Sequence, residues 1–212
     1  MVPRRALPSP PFLVISDRAQ ARRPLAAVAE AAFRAGCRWF SLREKDLPAA
    51  ERLALLRELV ALGSHYAATV SVHDDLAAAA ACAAGGLHLP GGGDAAAARR
   101  QLPEALIGVS AHAPDEAAAQ LAAGADYVTL SPIFLSASKP GYGPALGLER
   151  LTEAARRAPG PVVALGGIDE ANIAACLSAG ARGIAVMGEV MRADDPETKT
   201  RTLLAAAGWP TL

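Results

Sequence analysis

Eight short apolar runs alternate with longer alanine-rich runs along the chain. The apolar runs are rich in Val, Ile and Leu, which is typical of strands that are buried on both faces. They predict strands at 12–16, 38–42, 68–72, 86–89, 105–110, 126–131, 161–166 and 183–187. The intervening runs predict helices near 24–35, 47–62, 75–84, 95–101, 114–123, 147–157, 170–178 and 196–207.

This strict alternation indicates an α/β protein with a parallel sheet. Eight βα units in about 200 residues favour a single (β/α)8 barrel over 12–212, with an open doubly wound sheet as the alternative. Four helical runs, "AAFRAGC", "AACAAGG", "QLAAGAD" and "CLSAGAR", end in a glycine that can take the left-handed conformation of a helix C-terminus. This repeated half-unit also favours the barrel. Residues 1–11 are predicted to be a proline-rich lead-in.

Composition limits the classes of partner. Lys plus Arg and Asp plus Glu each number 21, so the net charge is zero and nonspecific binding to nucleic acid or membranes is not expected. Any anion site must therefore be local, and small phosphorylated molecules are the expected partners. The chain has no apolar run of membrane-spanning length. Cys37, Cys82 and Cys176 lack metal-site spacing, which predicts reduced thiols in a cytoplasmic protein. A homo-oligomer is compatible with this composition.

Polar residues follow the predicted strands at the end where barrel enzymes place their chemistry. In "SLREKD", Arg43 and Lys45 lie two positions apart and would share one side of an extended chain. Two cations suit a diphosphate, because arginine binds phosphate oxygens in pairs. The alternative is a solvated loop in which these cations pair with Glu44 and Asp46.

Two carboxylates end the third strand in "VSVHDD". Oxygen ligands of this kind suit Mg²⁺, which binds one or two carboxylates together with phosphate oxygens and water. The alternative is that Asp74 caps the next helix and Asp75 complements the helix dipole. Ser110, after the fifth strand, either holds a phosphate oxygen or caps the helix that follows.

Two glycine-rich segments are candidate anion sites. "SPIFLSASKPGYGPALG" follows the sixth strand and carries three candidate contacts, Ser136, Ser138 and Lys139. In "VALGGID", Gly166 and Gly167 precede a predicted helix. Together with Gly188 they resemble the phosphate site that many barrels build after strands seven and eight. The alternative for the glycine pair is a tight turn.

The remaining polar and aromatic residues near the strand ends are predicted to be structural. His88 and His112 are each expected to be hydrogen-bonded histidines at the barrel rim, and Tyr127 is expected to pack. Trp39 or Phe40 could face a bound ring, although core packing is favoured. No G-x-S-x-G elbow, P-loop or G-x-G-x-x-G occurs.

These residues carry a family resemblance. "FSLREKD", "VHDDLAAAAACAAGGLHL", "IGVSAH", "GADYVTLSPIFLSASKPGYGPALG", "VVALGGI" and "GIAVMGEV" resemble the thiamine-phosphate synthase family in order and spacing, from Phe12 to Pro196. The resemblance implies a (β/α)8 barrel and a transferase of thiamine biosynthesis. The implied reaction joins hydroxymethylpyrimidine diphosphate to thiazole phosphate and releases diphosphate, with Mg²⁺ as cofactor.

The resemblance also implies roles for individual residues. The diphosphate would be bound by Arg43, Lys45, Lys139 and the loop hydroxyls of Ser136 and Ser138, with Ser110 near the reacting centre. Mg²⁺ would be bound by Asp74 and Asp94. The substrates would also contact Ser41, His73, Gly166, Gly167 and Gly188, of which Gly167 matches backbone that holds the thiazole phosphate.

The chain departs from the family pattern at several of these positions. The family usually has glutamine at Ser41, asparagine at His73 and the second metal aspartate at Gly93, so that Asp94 comes one residue late. Near Gly188 the family often has a serine, which this chain lacks.

A related branch of thiazole tautomerases carries a histidine at the position of Pro132, in a "GHVF" pattern, where this chain reads "SPIF". Three hypotheses therefore remain from the sequence. They are a Mg²⁺-dependent synthase, a metal-free tautomerase and a non-catalytic phosphate-binding barrel.

Overall fold

The computed structural model describes residues 4–135 and 144–212. Within them, eight parallel strands form a closed barrel in which each strand pairs with its neighbours in sequence and β8 pairs with β1. The predicted (β/α)8 barrel is therefore confirmed, and the open sheet is wrong.

The strands are β1 (Phe12–Ile15), β2 (Trp39–Leu42), β3 (Thr69–His73), β4 (Gly86–Leu89), β5 (Leu106–Ala111), β6 (Tyr127–Leu130), β7 (Val162–Leu165) and β8 (Gly183–Val186). The helices are α1 (Leu25–Arg34), α2 (Ala49–His65), α3 (Leu76–Ala81), α4 (Ala95–Gln101), α5 (Pro114–Ala122), α6 (Gly147–Arg157), α7 (Ile173–Ser178), α8 (Gly188–Met191) and α9 (Pro196–Ala206).

Among the differences from the prediction, two lie near the last two strands. Helix α7 begins at Ile173 rather than at 170, because the Asp169 N–H donates to Asn172 Oδ1 (3.1 Å) and the Ala171 N–H donates to Asp169 Oδ1 (2.9 Å). Such bonds between side chains and backbone compete with helix formation. The short helix α8 was not predicted, because four residues are too few to show helical periodicity.

The predicted glycine C-termini are confirmed in three of the four helical runs. Gly36, Gly124 and Gly180 have φ angles of 111°, 110° and 99°. In the fourth run the prediction is wrong, since Ala83 takes the left-handed conformation at 48°.

The barrel interior has an apolar lower half and a polar upper half. The lower half is a cluster of buried residues, Leu13, Ile15, Trp39, Leu106, Tyr127, Val163 and Ala185. Side chains two positions apart share one face of a strand, so Ser41 lies above Trp39 and Thr129 lies above Tyr127. This alternation brings the polar side chains to the C-terminal mouth of the barrel, where barrel enzymes bind their substrates.

The segment 4–11, which we call the base segment, lies against the N-terminal ends of the strands. The Arg4 guanidinium donates to the carbonyl oxygens of Ala125, Pro159 and Leu121, at 3.1, 2.6 and 2.7 Å. Leu7 packs against the apolar cluster inside the barrel. The base segment therefore closes the bottom of the barrel.

All three cysteines carry free thiols. Burial raises the pKa of the Cys37 thiol to about 12 and that of Cys176 to about 11, which keeps both in the unreactive thiol form. Across the described ranges, no helix combines the length and the apolarity that crossing a membrane requires.

Candidate active site

The centre of the mouth is a hydrogen-bonded histidine. His88 Nδ1 lies 3.0 Å from the Tyr127 hydroxyl, and His88 Nε2 lies 3.0 Å from Ser110 Oγ, with Thr129 Oγ1 farther away at 3.4 Å. The His73 ring stacks against the His88 ring with centroids 5.6 Å apart. The prediction of a hydrogen-bonded rim histidine is confirmed for His88.

Both ionisable groups of this contact are held in their neutral forms. Burial, with a smaller contribution from the Arg43 charge, lowers the pKa of His88 to about 4. Burial also raises the pKa of Tyr127 well above its usual range, with a smaller contribution from Asp126. At physiological pH the mouth therefore contains an uncharged imidazole and a protonated phenol.

Tyr127 is fixed from two sides. Its ring meets Trp39 edge-to-face with centroids 4.8 Å apart. On the other side it occupies the space that a side chain at Gly108 would need, since a Cβ there would lie 2.1 Å from Tyr127 Cζ. Tyr127 packs as predicted, but its hydroxyl also supports the imidazole above it.

Arg43 is half-buried at the end of β2, and its charge acts on His88. Its guanidinium has no ion-pair partner among the described residues. The chain turns at Lys45 and Asp46, and Lys45 is exposed. Extended geometry therefore ends before Lys45, and its participation beside Arg43 stays a prediction.

The acidic neighbours of Arg43 bind a different arginine. Arg18 forms ion pairs with Glu44 (3.6 Å) and with Asp46, so the alternative in which Arg43 and Lys45 take these partners is wrong. Glu44 is 4% exposed and accepts a hydrogen bond from Ser16 Oγ at 2.6 Å. Burial raises the pKa of Glu44, although its hydrogen bonds act in the opposite direction.

Ser16 connects the buried Glu44 to the basic segment. Ser16 Oγ donates to Glu44 and accepts the Arg43 backbone N–H at 2.8 Å. The buried carboxylate therefore fixes the backbone from which Arg43 projects.

Asp74 and Asp75 have distinct positions, and the predicted alternative in which Asp74 caps the helix is wrong. Asp75, not Asp74, caps α3, accepting the Ala78 N–H at 2.9 Å, and it also pairs with Arg52 at 2.7 Å. Asp74 has a left-handed backbone (φ 54°), and its N–H donates to the His88 carbonyl at 2.9 Å. No described residue bonds to its exposed carboxylate. Strained backbone of this kind is concentrated at functional sites.

The loop after β4, in which Asp94 comes one residue later than in the family pattern, forms a tight turn. The Gly93 N–H donates to the Pro90 carbonyl at 3.0 Å, and Gly92 has a φ of 78°. A Cβ at Gly93 would lie 2.6 Å from Leu89 Cβ, so this turn has no space for an aspartate at position 93. Asp94 follows as the N-cap of α4 and accepts the Ala97 N–H at 2.8 Å.

Gly166 and Gly167 lie directly beneath the start of the loop after β6. The Phe134 N–H donates to the Gly166 carbonyl at 3.0 Å, and a Cβ at Gly167 would lie 2.4 Å from the Leu135 carbonyl oxygen. The glycine pair does not lead straight into a helix as expected, because α7 begins only at Ile173.

Helix α8 begins at the buried Gly188, two residues after β8 ends. Its N-terminus therefore follows directly from the C-terminal end of the barrel. A short extra helix after β8 is a common part of barrel phosphate sites. Ser110 does not cap the next helix, because Ala113 is the N-cap of α5. The Ser110 hydroxyl instead contacts His88 in the mouth.

Three predicted diphosphate contacts lie outside the described residues, and two residues that were not predicted belong to the site. Ser136, Ser138 and Lys139 lie outside the described residues. His112 is exposed, with Nδ1 2.8 Å from the Ser131 carbonyl oxygen, which agrees with a structural role. Sequence reasoning missed Ser16 and the hydroxyl of Tyr127 as parts of the site. The two-residue alternation Tyr127, Thr129 along β6 was the available signal for the latter.

Comparisons with known proteins identify the family. The model of the thiamine monophosphate synthase family matches residues 12–190. A thiamine-phosphate synthase of Roseiflexus sp. strain RS-1 is 38% identical over 92% of this chain and 83% of the relative. Another, from Anaeromyxobacter dehalogenans, is 42% identical over 85% of this chain and 82% of the relative.

A solved structure agrees with these relatives. The thiamine phosphate pyrophosphorylase of Pyrococcus furiosus is 29% identical, with a TM-score of 0.84 over 93% of this chain and 95% of that chain. These matches support the synthase interpretation rather than the tautomerase or non-catalytic alternatives. The chain belongs to the thiamine monophosphate synthase family.

Proposed function

We propose that this transferase is a thiamine-phosphate synthase, which joins hydroxymethylpyrimidine diphosphate to thiazole phosphate and releases diphosphate. The observation that carries the proposal is a pair of opposite charges at one barrel mouth. The Arg43 guanidinium and the Asp74 carboxylate follow adjacent strands, and neither has an ion-pair partner among the described residues. Unpaired charges at a substrate end of a barrel are suited to a charged ligand.

Arg43 is proposed to bind the diphosphate and to stabilise its charge as it leaves. The pyrimidine methylene would lose the diphosphate with both bonding electrons, and the resulting cation would be stabilised by its own ring. The thiazole nitrogen would then form the new carbon–nitrogen bond. Donors placed in advance around a developing negative charge are a major source of catalysis. The mechanism needs no protein nucleophile.

The carboxylates of Asp74 and Asp94 are of the ligand type that Mg²⁺ prefers. Mg²⁺ binds hard oxygen ligands and takes one or two carboxylates, with the rest from phosphate and water. The described residues contain no group of three or more His, Cys, Asp or Glu that could hold a metal, so protein ligands alone would not complete the site. Asp74, with its free carboxylate, and Asp94, through the oxygen not used for capping, would hold the ion. When bound, Mg²⁺ would neutralise diphosphate charge.

The thiazole phosphate is proposed to bind where the loops after β7 and β8 meet the mouth. Gly167 has a φ of 61° and lies against the loop after β6, and the N-terminus of α8 lies after the next strand. Backbone N–H groups at such a place bind phosphate without a charged side chain. Lys45, Lys139, Ser136 and Ser138 are proposed to complete the diphosphate side.

One assay tests the reaction. The protein is supplied with both substrates, with Mg²⁺ or with excess EDTA, and the products are followed by mass. We expect thiamine phosphate and diphosphate only when Mg²⁺ is present. Product formed at the same rate in EDTA would contradict the metal, and no product under either condition would contradict the synthase.

Asp94 can be tested separately as a metal ligand and as a helix cap. Asparagine caps helices as well as aspartate but carries no charge. We therefore expect Asp94→Asn to keep the melting temperature while raising the Mg²⁺ concentration needed for half-maximal rate. Asp94→Ala should in addition lose about 1 kcal/mol of stability. Magnesium titrations and thermal melts measure the two effects.

The matched control is Asp195→Asn, which changes the N-cap of α9 in the same way. Its Mg²⁺ requirement should equal that of the unmodified protein. An Asp94→Asn protein with an unchanged Mg²⁺ requirement would show that Asp94 is only a cap.

We further propose a cytoplasmic location, which is supported by the three free thiols. The net charge of zero supports small phosphorylated partners rather than nucleic acid.

A further inference from the structure

The two hydrogen bonds that join Tyr127, His88 and Ser110 have a direction, because in each of them one group donates and the other accepts. A neutral imidazole has one nitrogen that donates and one that accepts, and the partners of each nitrogen decide which is which. Both nitrogens of His88 have a hydroxyl at 3.0 Å. The orientation therefore depends on what else each hydroxyl can do.

The Tyr127 hydroxyl decides the orientation. Tyr127 is 0% exposed, and within the described residues its hydroxyl makes no hydrogen bond except the one with His88 Nδ1. If Nδ1 carried the proton, the phenol would accept that hydrogen bond and its own O–H would be buried without an acceptor. An unsatisfied buried donor costs more than an ordinary hydrogen bond contributes. The phenol therefore donates to Nδ1. The same reasoning excludes an imidazolium, which carries protons on both nitrogens.

With Nδ1 accepting, the proton of the neutral imidazole is on Nε2. Nε2 then donates to Ser110 Oγ, its closer hydroxyl, and the longer contact to Thr129 is secondary. Ser110 Oγ already accepts this bond, so its O–H is directed elsewhere. Ser110 is half-buried near the C-terminal end of β5, which is the end of the strand at the mouth.

We propose that Tyr127 and His88 are positioning residues that fix Ser110 as a hydrogen-bond donor toward the leaving diphosphate. The identity of the anion rests on the proposed function, whereas the direction of the hydrogen bonds rests on the structure alone. A hydroxyl with the opposite orientation would present its lone pairs to an anion and repel it. The hydrogen bonds from Tyr127 to His88 and from His88 to Ser110 thus favour binding of an anion at Ser110 without a charged residue there.

The tautomer is measured directly on the free protein. Nitrogen-15 NMR of labelled histidine distinguishes an Nε2-protonated ring from an Nδ1-protonated ring and from imidazolium. We expect His88 to give the Nε2-protonated signature, and Tyr127→Phe to reduce its share. An Nδ1-protonated or doubly protonated His88 would overturn the inference, even if the protein proves to be an active synthase. Conversely, an inactive protein would overturn the proposed function and leave this result standing.

Binding of inorganic diphosphate with Mg²⁺ tests the role of Ser110. Tyr127→Phe is expected to weaken diphosphate binding by roughly 3- to 10-fold, the usual range for one hydrogen bond. Because the effect acts through Ser110, Tyr127→Phe should weaken binding no further in a Ser110→Ala background. A purely structural role would instead give additive losses, and that result would overturn the proposal.

The control for loss of a buried hydroxyl is Thr200→Val. Thr200 is fully buried on α9, and its hydroxyl has no hydrogen-bond partner among the described residues. Diphosphate binding by Thr200→Val should match that of the unmodified protein. Weakening equal to that of Tyr127→Phe would show a general effect of buried hydroxyl loss and would overturn the proposal.

Discussion

Replacing Arg43 with glutamine is expected to lower kcat/KM for the pyrimidine diphosphate by roughly 10²–10³-fold, the typical cost of removing one group that stabilises transition-state charge. Glutamine keeps much of the side-chain length and can still donate a hydrogen bond, but it carries no charge. The loss should appear in kcat, because the charge on the leaving group is greatest in the transition state. Steady-state kinetics with varied pyrimidine diphosphate measures it.

The stability of Arg43→Gln should remain within about 0.5 kcal/mol of the unmodified protein, since no ion pair within the described residues is lost. Arg100→Gln is the matched control, because Arg100 is an exposed arginine on α4 away from the predicted site. Its kinetics should be unchanged. If Arg43→Gln has the same kinetics as the unmodified protein, Arg43 does not stabilise the leaving diphosphate and the proposed mechanism is wrong.

Replacing Gly108 with alanine is expected to destabilise the fold by about 1–3 kcal/mol, the usual cost of overpacking a filled core. The new Cβ would lie 2.1 Å from Tyr127 Cζ. Tyr127 cannot easily move away, because it is fully buried and packs against Trp39. Urea denaturation of both proteins measures the difference.

The same substitution should also reduce activity in the folded fraction, because a shift of Tyr127 breaks its contact with His88. Gly91→Ala is a suitable stability control, since a Cβ there meets only the Ser110 carbonyl oxygen, at 3.6 Å. It should unfold at nearly the same urea concentration as the unmodified protein. If Gly108→Ala is as stable as Gly91→Ala, Tyr127 can move away from the new Cβ at little cost, and the prediction is wrong.

The barrel could be predicted from sequence because its signals are local. Each strand is a short apolar run, and three of the four helical runs that carry a terminal glycine end at that glycine. The exception at Ala83 shows that a run of several small residues leaves the position of the left-handed residue undetermined. Helix α7 shows a second limit, since Asn172 and Asp169 replace the first helical turn with bonds between side chains and backbone.

The site could be predicted as a set of residues but not as an arrangement. Placement at strand ends brought Arg43, Asp74 and Ser110 to one mouth, and this follows from the fold alone. The contact between His88 and Tyr127 joins strands that are not neighbours in the sheet, so no pairing register predicts it. Likewise, only coordinates show that the turn at Gly93 has no space for a side chain and that Asp94 begins the helix.

The base segment connects strands that are not neighbours in the barrel. It leads directly into β1, while Arg4 binds carbonyl groups beside β6 and β7. Those carbonyls lie 117 to 155 residues farther along the chain, so the base segment can bind them only when the later strands are in place. A shortened chain that starts at β1 would leave three carbonyl oxygens without their donor, and it would leave the lower end of the barrel without the packing of Leu7.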